Sequence, residues 1–374
     1  MPTLVNPFFF ESPSDEPGFT DRSELLPRLT QIMTEKGRRA LVHGRRRMGK
    51  TSLIRHAARL SKKTFIYCDV SIPASLTELA KQLLAGVPKP ETSQVGRMLE
   101  IANRRLKSVT VTAKNLLSLV AEIRPDEAAN TLEEVLHTLN DLAADQDDIW
   151  TICLDEFQMI RRLGGDGIDW KLRGVMQDHR NLTYIFSGSD HRLTEWMTAA
   201  DAPFFKQLQH IEVGPIESGH LAAWIRRRAA RGGVPSFPWA EEVVSTAGPC
   251  TGDIVRLAHQ VFDLAGSGAK GNLVVQGFDR IALEELKGPF LEKWGELYPP
   301  QRSVLRAIAD GQSPSAEETL RRYNLRTAST ATTAVRALVK TQTLIRADGK
   351  LGFDNPFFRR WVAYNGIAPA GAAQ

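Results

Sequence analysis

The sequence is poor in cysteine: Cys68, Cys153 and Cys250 are scattered over 374 positions with no CxxC or Cys/His spacing. That excludes a zinc framework or a disulfide scaffold and fits a reducing compartment. Long apolar runs are also missing. None reaches the roughly 18 residues a membrane-spanning helix needs, so no membrane partner is expected. The first ten residues hold no basic side chain ahead of their aromatics, so no secretory signal is expected and a cytoplasmic location is. An overall charge bias is small as well, at +5.

Hydrophobic residues make up 42% and charged residues 24%, the balance of a globular protein, and the length calls for two or three domains. The charge is unevenly placed. Residues 297–374 hold 11 Lys/Arg and 5 Asp/Glu, a net +6, against −1 for the rest. A basic end on a neutral body suits a polyanion-binding appendage, and is also common in domains that bind nothing.

Periodicity predicts a helix over 22–36, a buried strand over 39–43, a helix over 51–61 and a strand over 64–69. Helices follow over 75–86 and 130–145, with the stretch between them unassigned. Strands are expected over 149–154, 181–186 and 211–213, and only helices from 218 to 286. Strands alternating with helices argue for a parallel sheet. The fold expected is therefore α/β: a P-loop NTPase core (1–216), a helical lid (217–290), a winged helix-turn-helix domain (297–362) and a disordered tail (363–374).

Gly44-Arg-Arg-Arg-Met-Gly-Lys-Thr51 fits GxxxxGK[ST] between a strand and a helix, the context the motif requires. Its backbone N–H groups and the following helix N-terminus would hold phosphates, so Gly44, Arg47, Met48, Gly49, Lys50, Thr51 and Ser52 are the nucleotide-binding candidates. Lys50 would bridge the β- and γ-phosphates, and Thr51 would ligate Mg²⁺. The arginines inside the loop are expected to point outward as a solvated rim. Asp155-Glu156 follows an apolar strand at its carboxyl end, where ligands bind in open α/β sheets. Asp155 would hold Mg²⁺ with Thr51, and Glu156 would act on the attacking water as a general base. Glu156 and Lys50 are thus the catalytic candidates, with ATP and Mg²⁺ as the cofactors. Ser187 and Ser189, after the next strand, read equally as γ-phosphate sensors or as a turn.

With these residues in place, the sequence resembles the archaeal-type ATPases of the AAA+/STAND group. Asn6-Pro-Phe8 and Phe19-Thr-Asp-Arg22-Ser-Glu24 resemble the family's opening segment, Arg46-Arg-Met-Gly-Lys-Thr-Ser-Leu53 its RRxGKTSL loop, and Leu154-Asp-Glu-Phe-Gln158 its DEFQ segment. Phe186-Ser-Gly-Ser189 and Pro203-Phe-Phe205 follow in the family's order, and the resemblance runs from about residue 6 to 362. Thr20-Asp21 replaces the usual glycine before Arg22. The lid motif reads Thr251-Gly-Asp-Ile254 without its proline, more like a sensor-2 helix, which makes Arg256 either a γ-phosphate sensor or a surface arginine. No arginine finger is assigned; Arg192 and Lys206 are positional candidates only.

At the basic end, helices over 301–310, 316–323 and 329–342 precede two strand halves around Asp348-Gly349, the pattern of a winged helix, which the resemblance also implies. Ala331, Ala334, Val335, Leu338 and Val339 form the apolar stripe of the third helix. Ser329, Thr332, Thr333, Arg336 and Lys340 share the opposite face, and with Lys350 they are the DNA-contact candidates. With few cations and no central Asn or Gln, the contact expected is weak and electrostatic, to double-stranded DNA. Packing or contact with a protein partner, or self-association, is the alternative use. The aromatics of Asn355-Pro-Phe-Phe-Arg-Arg-Trp361 would dock the wing onto the body. Function follows as an ATP-driven switch reporting through the winged helix, or as a nucleotide-binding scaffold with little turnover.

Overall fold

A computed structural model of the chain describes residues 5–11, 21–89, 94–106, 109–110, 122–123, 128–189, 193, 196–197, 199–347 and 349–365. It divides into two compact units, Glu11–Ile216 and a second made of Met1–Phe10 with Glu217–Gln374.

The first unit holds a five-stranded parallel sheet built from β1 (Arg39–His43), β2 (Phe65–Asp69), β5 (Trp150–Asp155), β6 (Leu182–Gly188) and β7 (Gln209–Glu212). A two-stranded pair, β3 (Val109–Thr110) with β4 (Glu122–Ile123), stands apart. Sheet order is β2-β5-β6-β1-β7, so β6 separates β1 from β5. Strands β5 and β6 are buried along their whole length, as strands covered on both faces must be, which explains their largely apolar sequence. The helices are α1 (Leu25–Thr34), α2 (Lys50–Ser61), α3 (Leu76–Ala85), α4 (Val95–Arg105), α5 (Ala128–Asp145), α6 (Ile160–Gly164) and α7 (Ile168–Met176). Helix α4 occupies part of the stretch that periodicity left unassigned; its buried face is only Met98, Ile101 and Ala102, too narrow a stripe to stand out.

One buried polar cluster sits beneath this sheet. His179 (3% exposed) meets the Tyr184 hydroxyl through Nδ1 at 2.7 Å and His137 Nδ1 through Nε2 at 2.9 Å. Burial, then His137 and Arg39, push the His179 pKa down to about 3.

In the second unit, α8 (Ser218–Arg231), α9 (Ala240–Ala247), α10 (Thr251–Gly266) and α11 (Leu273–Asp279) lead through a π-helical stretch (Arg280–Glu285) into α12 (Lys287–Glu296). A winged-helix arrangement follows: α13 (Pro299–Ala309), α14 (Glu317–Arg322), α15 (Ala328–Lys340), the hairpin β8 (Leu344–Ala347) and β9 (Lys350–Phe353), and α16 (Pro356–Asn365). Helix α15 is capped by Thr327, whose hydroxyl accepts from the Thr330 N–H at 3.1 Å. Helix α16 carries Phe357, Phe358 and Trp361 against Phe278, Phe290 and Trp294, and Arg360 makes two hydrogen bonds to Asp279 at 2.6 and 3.0 Å.

Two sequence expectations are corrected. The segment ending at Phe10 groups with the second unit: Phe8, 0% exposed, lies among Trp224, Phe237 and Phe262, and Asn6 donates to the His259 carbonyl at 3.0 Å. Helix α16 also runs to Asn365, past position 363 where the tail was expected to begin; residues 366–374 lie outside the described residues, as do Arg192 and Asp348.

The His179 pKa is lower in the folded than in the unfolded chain, so the unfolded chain takes up the proton first. Stability should therefore be full above pH about 6.5 and decline as pH falls toward 3, by up to about 1.4 kcal/mol per pH unit. Urea unfolding of wild type and His179→Gln at pH 7 and pH 5 checks this: the variant is less stable at pH 7, and the gap narrows at pH 5.

Candidate nucleotide site

The phosphate loop leaves β1 at Gly44, whose φ of 147° belongs to glycine, and a Cβ there would stand 2.4 Å from the Val213 carbonyl oxygen. Only a hydrogen fits where the loop crosses the end of β7. At Gly49 (φ 88°) the chain turns left-handed immediately before α2, and nothing lies within 4 Å of where a Cβ would sit. That open space faces the amino end of α2, where unsatisfied N–H groups favour an anion. Lys50, 7% exposed, donates from Nζ to the Gly44 and Arg45 carbonyls, both at 2.9 Å, and so spans the loop it must serve. The Met48 carbonyl accepts from buried Arg22 at 2.9 Å, and desolvation lowers that guanidinium's pKa. Thr51 and Ser52 follow on the first turn of α2. The basic rim is narrower than expected, since only Arg46 is exposed while Arg45 and Arg47 are half-buried.

Asp155 ends β5 at 4% exposure and accepts from four donors. Thr51 Oγ1 reaches Oδ2 at 2.9 Å and the Tyr67 hydroxyl reaches the same oxygen at 2.8 Å. Ser187 Oγ and the Glu156 N–H bond Oδ1, the latter at 3.0 Å. Strand register explains Ser187: Leu154 pairs with Phe186, so the next residue on each strand, Asp155 and Ser187, meets at the same level. Burial and the bond to Asp155 push the Tyr67 pKa well up, keeping its proton on oxygen as a donor.

A threonine hydroxyl beside a carboxylate oxygen is a hard, oxygen-only donor pair suited to Mg²⁺, which completes its shell with water and substrate phosphates. Among the described residues no group of three or more His, Cys, Asp or Glu could hold a metal, so an all-protein cage is not formed there.

Glu156 takes a left-handed φ of 50°, which turns its side chain off the strand end. Its carboxylate accepts from the Gln158 amide and, at 3.3 Å to either oxygen, from Ser189 Oγ. Ser189 Oγ in turn accepts from Arg46 Nε at 3.2 Å.

The structure thus gathers Gly44, Arg47, Met48, Gly49, Lys50, Thr51, Ser52, Asp155, Glu156, Ser187 and Ser189 in one unit. Of the two serines, Ser187 serves Asp155 and Ser189 serves Glu156. Arg256 belongs to the other unit, half-buried rather than on the surface; it bonds Glu285 at 2.9 Å and lies over the Phe10 ring at 4.9 Å. Lys206 is exposed and sits over the Phe205 ring at 5.2 Å. In the winged helix Ser329, Thr332, Thr333, Arg336, Lys340 and Lys350 are all exposed, although Thr332 spends its hydroxyl proton on the Ala328 carbonyl. Arg326 and Arg346 are exposed beside them and were missed. So were Tyr67 and Arg46: an outward position on a half-buried strand was the only signal for the first, and none pointed to the second.

Residues 20–184 match a family described as an AAA ATPase domain, and residues 289–364 match a probable winged helix domain. No curated protein sequence matches the chain. Among solved structures, a Walker-type ATPase of Pyrococcus abyssi is 20% identical and superposes with a TM-score of 0.68, covering 95% of this chain and 99% of that one. The Aeropyrum pernix ORC2 protein, in ADPNP and ADP complexes, is 14% identical with a TM-score of 0.62 over 95% and 96% of the two chains. The Aeropyrum pernix ORC1 protein in complex with DNA is 13% identical with a TM-score of 0.50, covering 93% of each. At such identities the likeness is one of fold.

Gly44→Ala is expected to destabilise the first unit by about 2–4 kcal/mol, since backbone rather than a movable side chain opposes the added methyl. Thermal denaturation of wild type and variant without nucleotide measures it, and an unchanged midpoint would refute the close approach.

Proposed function

We propose that this chain, which matches an AAA ATPase domain over residues 20–184 and a winged helix domain over 289–364, is an archaeal-type AAA+ P-loop ATPase that binds and hydrolyses ATP and reports nucleotide state through the winged helix. The observation that carries the reading is the contact of Thr51 with Asp155, with Glu156 next in the chain. Loop N–H groups and the amino end of α2 bind and orient the phosphates, and Lys50 stabilises negative charge on the γ-phosphoryl group. Thr51 and Asp155 would hold Mg²⁺, which supplies charge neutralisation on the β- and γ-phosphates when bound. Glu156 orients a water and takes its proton as the water oxygen bonds to the γ-phosphorus. The bond to the ADP oxygen breaks, leaving ADP and phosphate.

The winged helix is proposed to bind duplex DNA through Arg336, Lys340 and Lys350, with Ser329, Thr332 and Thr333 on the same exposed surface. A specific observation favours a second reading, a nucleotide-holding scaffold: both Gln158 and Ser189 engage the Glu156 carboxylate that must act on water.

Glu156→Gln should lower kcat for ATP by about 10²–10⁴-fold with little change in nucleotide binding. Tight ATP binding with negligible wild-type turnover would instead select the scaffold. For the winged helix, fluorescence anisotropy with duplex DNA should give weak binding whose log–log salt slope is about −2 to −3. Arg336→Ala/Lys340→Ala should abolish it, and salt-independent or absent binding by wild type refutes the DNA reading.

A further inference from the structure

A second basic feature lies in the first unit, away from the phosphate loop's own residues. At the sheet edge, Arg55, Ala58 and Arg59 of α2, Lys62 and Lys63 just after it, and Phe65 and Tyr67 of β2 line an open cleft of about 670 Å³. Among the described residues strand β2 is the outermost of its sheet, so the cleft lies at the sheet's margin. Alternation along β2 buries Ile66 and Cys68 and turns Phe65 and Tyr67 outward, their ring centroids 6.4 Å apart. Arg55 lies over the Tyr67 ring at 4.7 Å. Arg55, Arg59 and Lys62 are exposed, Arg59 also meeting His56 Nδ1 at 2.5 Å, and Lys63 is bound to Asp148 at 2.7 Å. Lysines on an edge strand can simply discourage strand pairing. Here the cations come instead from the neighbouring helix and its end, and they converge over two aromatic rings.

We propose that this cleft binds a segment of single-stranded nucleic acid, its phosphates on Arg55, Arg59 and Lys62 and its bases against Phe65 and Tyr67. The pairing of cations with aromatic faces is the chemistry that recognises an unpaired strand: every base offers a π-face, and the backbone supplies the charge. An acidic peptide satisfies the cations and leaves the rings unused. Duplex DNA hides its base faces and suits the cleft less.

The site also touches the ATP machinery. Tyr67 forms the cleft with its ring while its hydroxyl donates to Asp155 Oδ2, the oxygen that also accepts from Thr51. Strand occupancy that shifts the ring therefore changes the support of Asp155 and alters ATP turnover. This coupling rests on the proposed hydrolysis; the binding itself does not.

The test is anisotropy of a labelled oligothymidylate with the full chain at low salt, which requires no turnover. Wild type should bind with a log–log salt slope of about −2. Arg55→Glu/Lys62→Glu, at exposed positions, should weaken binding by about tenfold or more while keeping the wild-type melting temperature; Arg336→Ala/Lys340→Ala should leave it intact. Tyr67→Phe should keep strand binding yet lose the strand's effect on ATP turnover. The proposal is overturned if the cleft variant binds like wild type, if binding disappears with the winged-helix variant instead, or if polyglutamate or thymidine monophosphate displaces the strand as well as unlabelled strand does.

Discussion

A carboxylate withdrawn from water has to be satisfied by its neighbours, and Asp155 organises the first unit on that account. Leaving such a charge without partners in the interior costs several kcal/mol. Its four donors come from α2, β2, β6 and its own backbone successor. Three of these elements can converge only if β6 stands between β1 and β5, which brings Ser187 level with Asp155. The phosphate loop and the acidic strand are therefore joined through a side-chain contact, Thr51 to Asp155, and not through direct strand pairing. A Mg²⁺ ion suits this point because its preferred ligands, one hydroxyl and one carboxylate, are already adjacent there.

How much of this could be read from the sequence depended on the range of the interaction. Gly44 through Thr51 is local in sequence, and its spacing is dictated by a turn that must wrap a phosphate, so it was legible. Asp155-Glu156 was legible because a fully buried strand carries no charged residue until it ends. Tyr67 was not, because it looks like any outward residue of a strand until the sheet order places β2 beside β5 and its hydroxyl beside Asp155. Arg46 reads as a loop-rim cation; only β6 returning alongside the loop gives it Ser189 as a partner.

The opening segment shows the same limit at greater range. Asn6-Pro-Phe8 resembles the start of the family's core, yet its partners lie more than 200 residues downstream in α8 and α10. Nothing local tells an apolar anchor which core it will fill. Phe8 is bound there by three aromatic rings, and Arg228 donates to the Pro7 carbonyl. The winged helix is fastened in a comparable way. Its last described helix brings three aromatics onto α11 and α12, a seam within the second unit. That seam includes a two-point Arg360–Asp279 contact, whose fixed geometry resists rotation better than apolar packing alone.

The left-handed backbone at Glu156 has a consequence of its own. A glutamate at φ 50° costs about 1 kcal/mol relative to an ordinary conformation, and three side chains hold it there. Ser189 has a single proton to give, so it serves one Glu156 oxygen at a time and accepts from Arg46 with its lone pair. A polar chain then runs from an exposed arginine of the phosphate loop, through one hydroxyl, to the Glu156 carboxylate. Movement of Arg46 toward a bound anion would weaken its hold on Ser189 and loosen the serine from Glu156. The carboxylate proposed to act on water is thereby tied to the phosphate loop, with Gln158 as the remaining restraint.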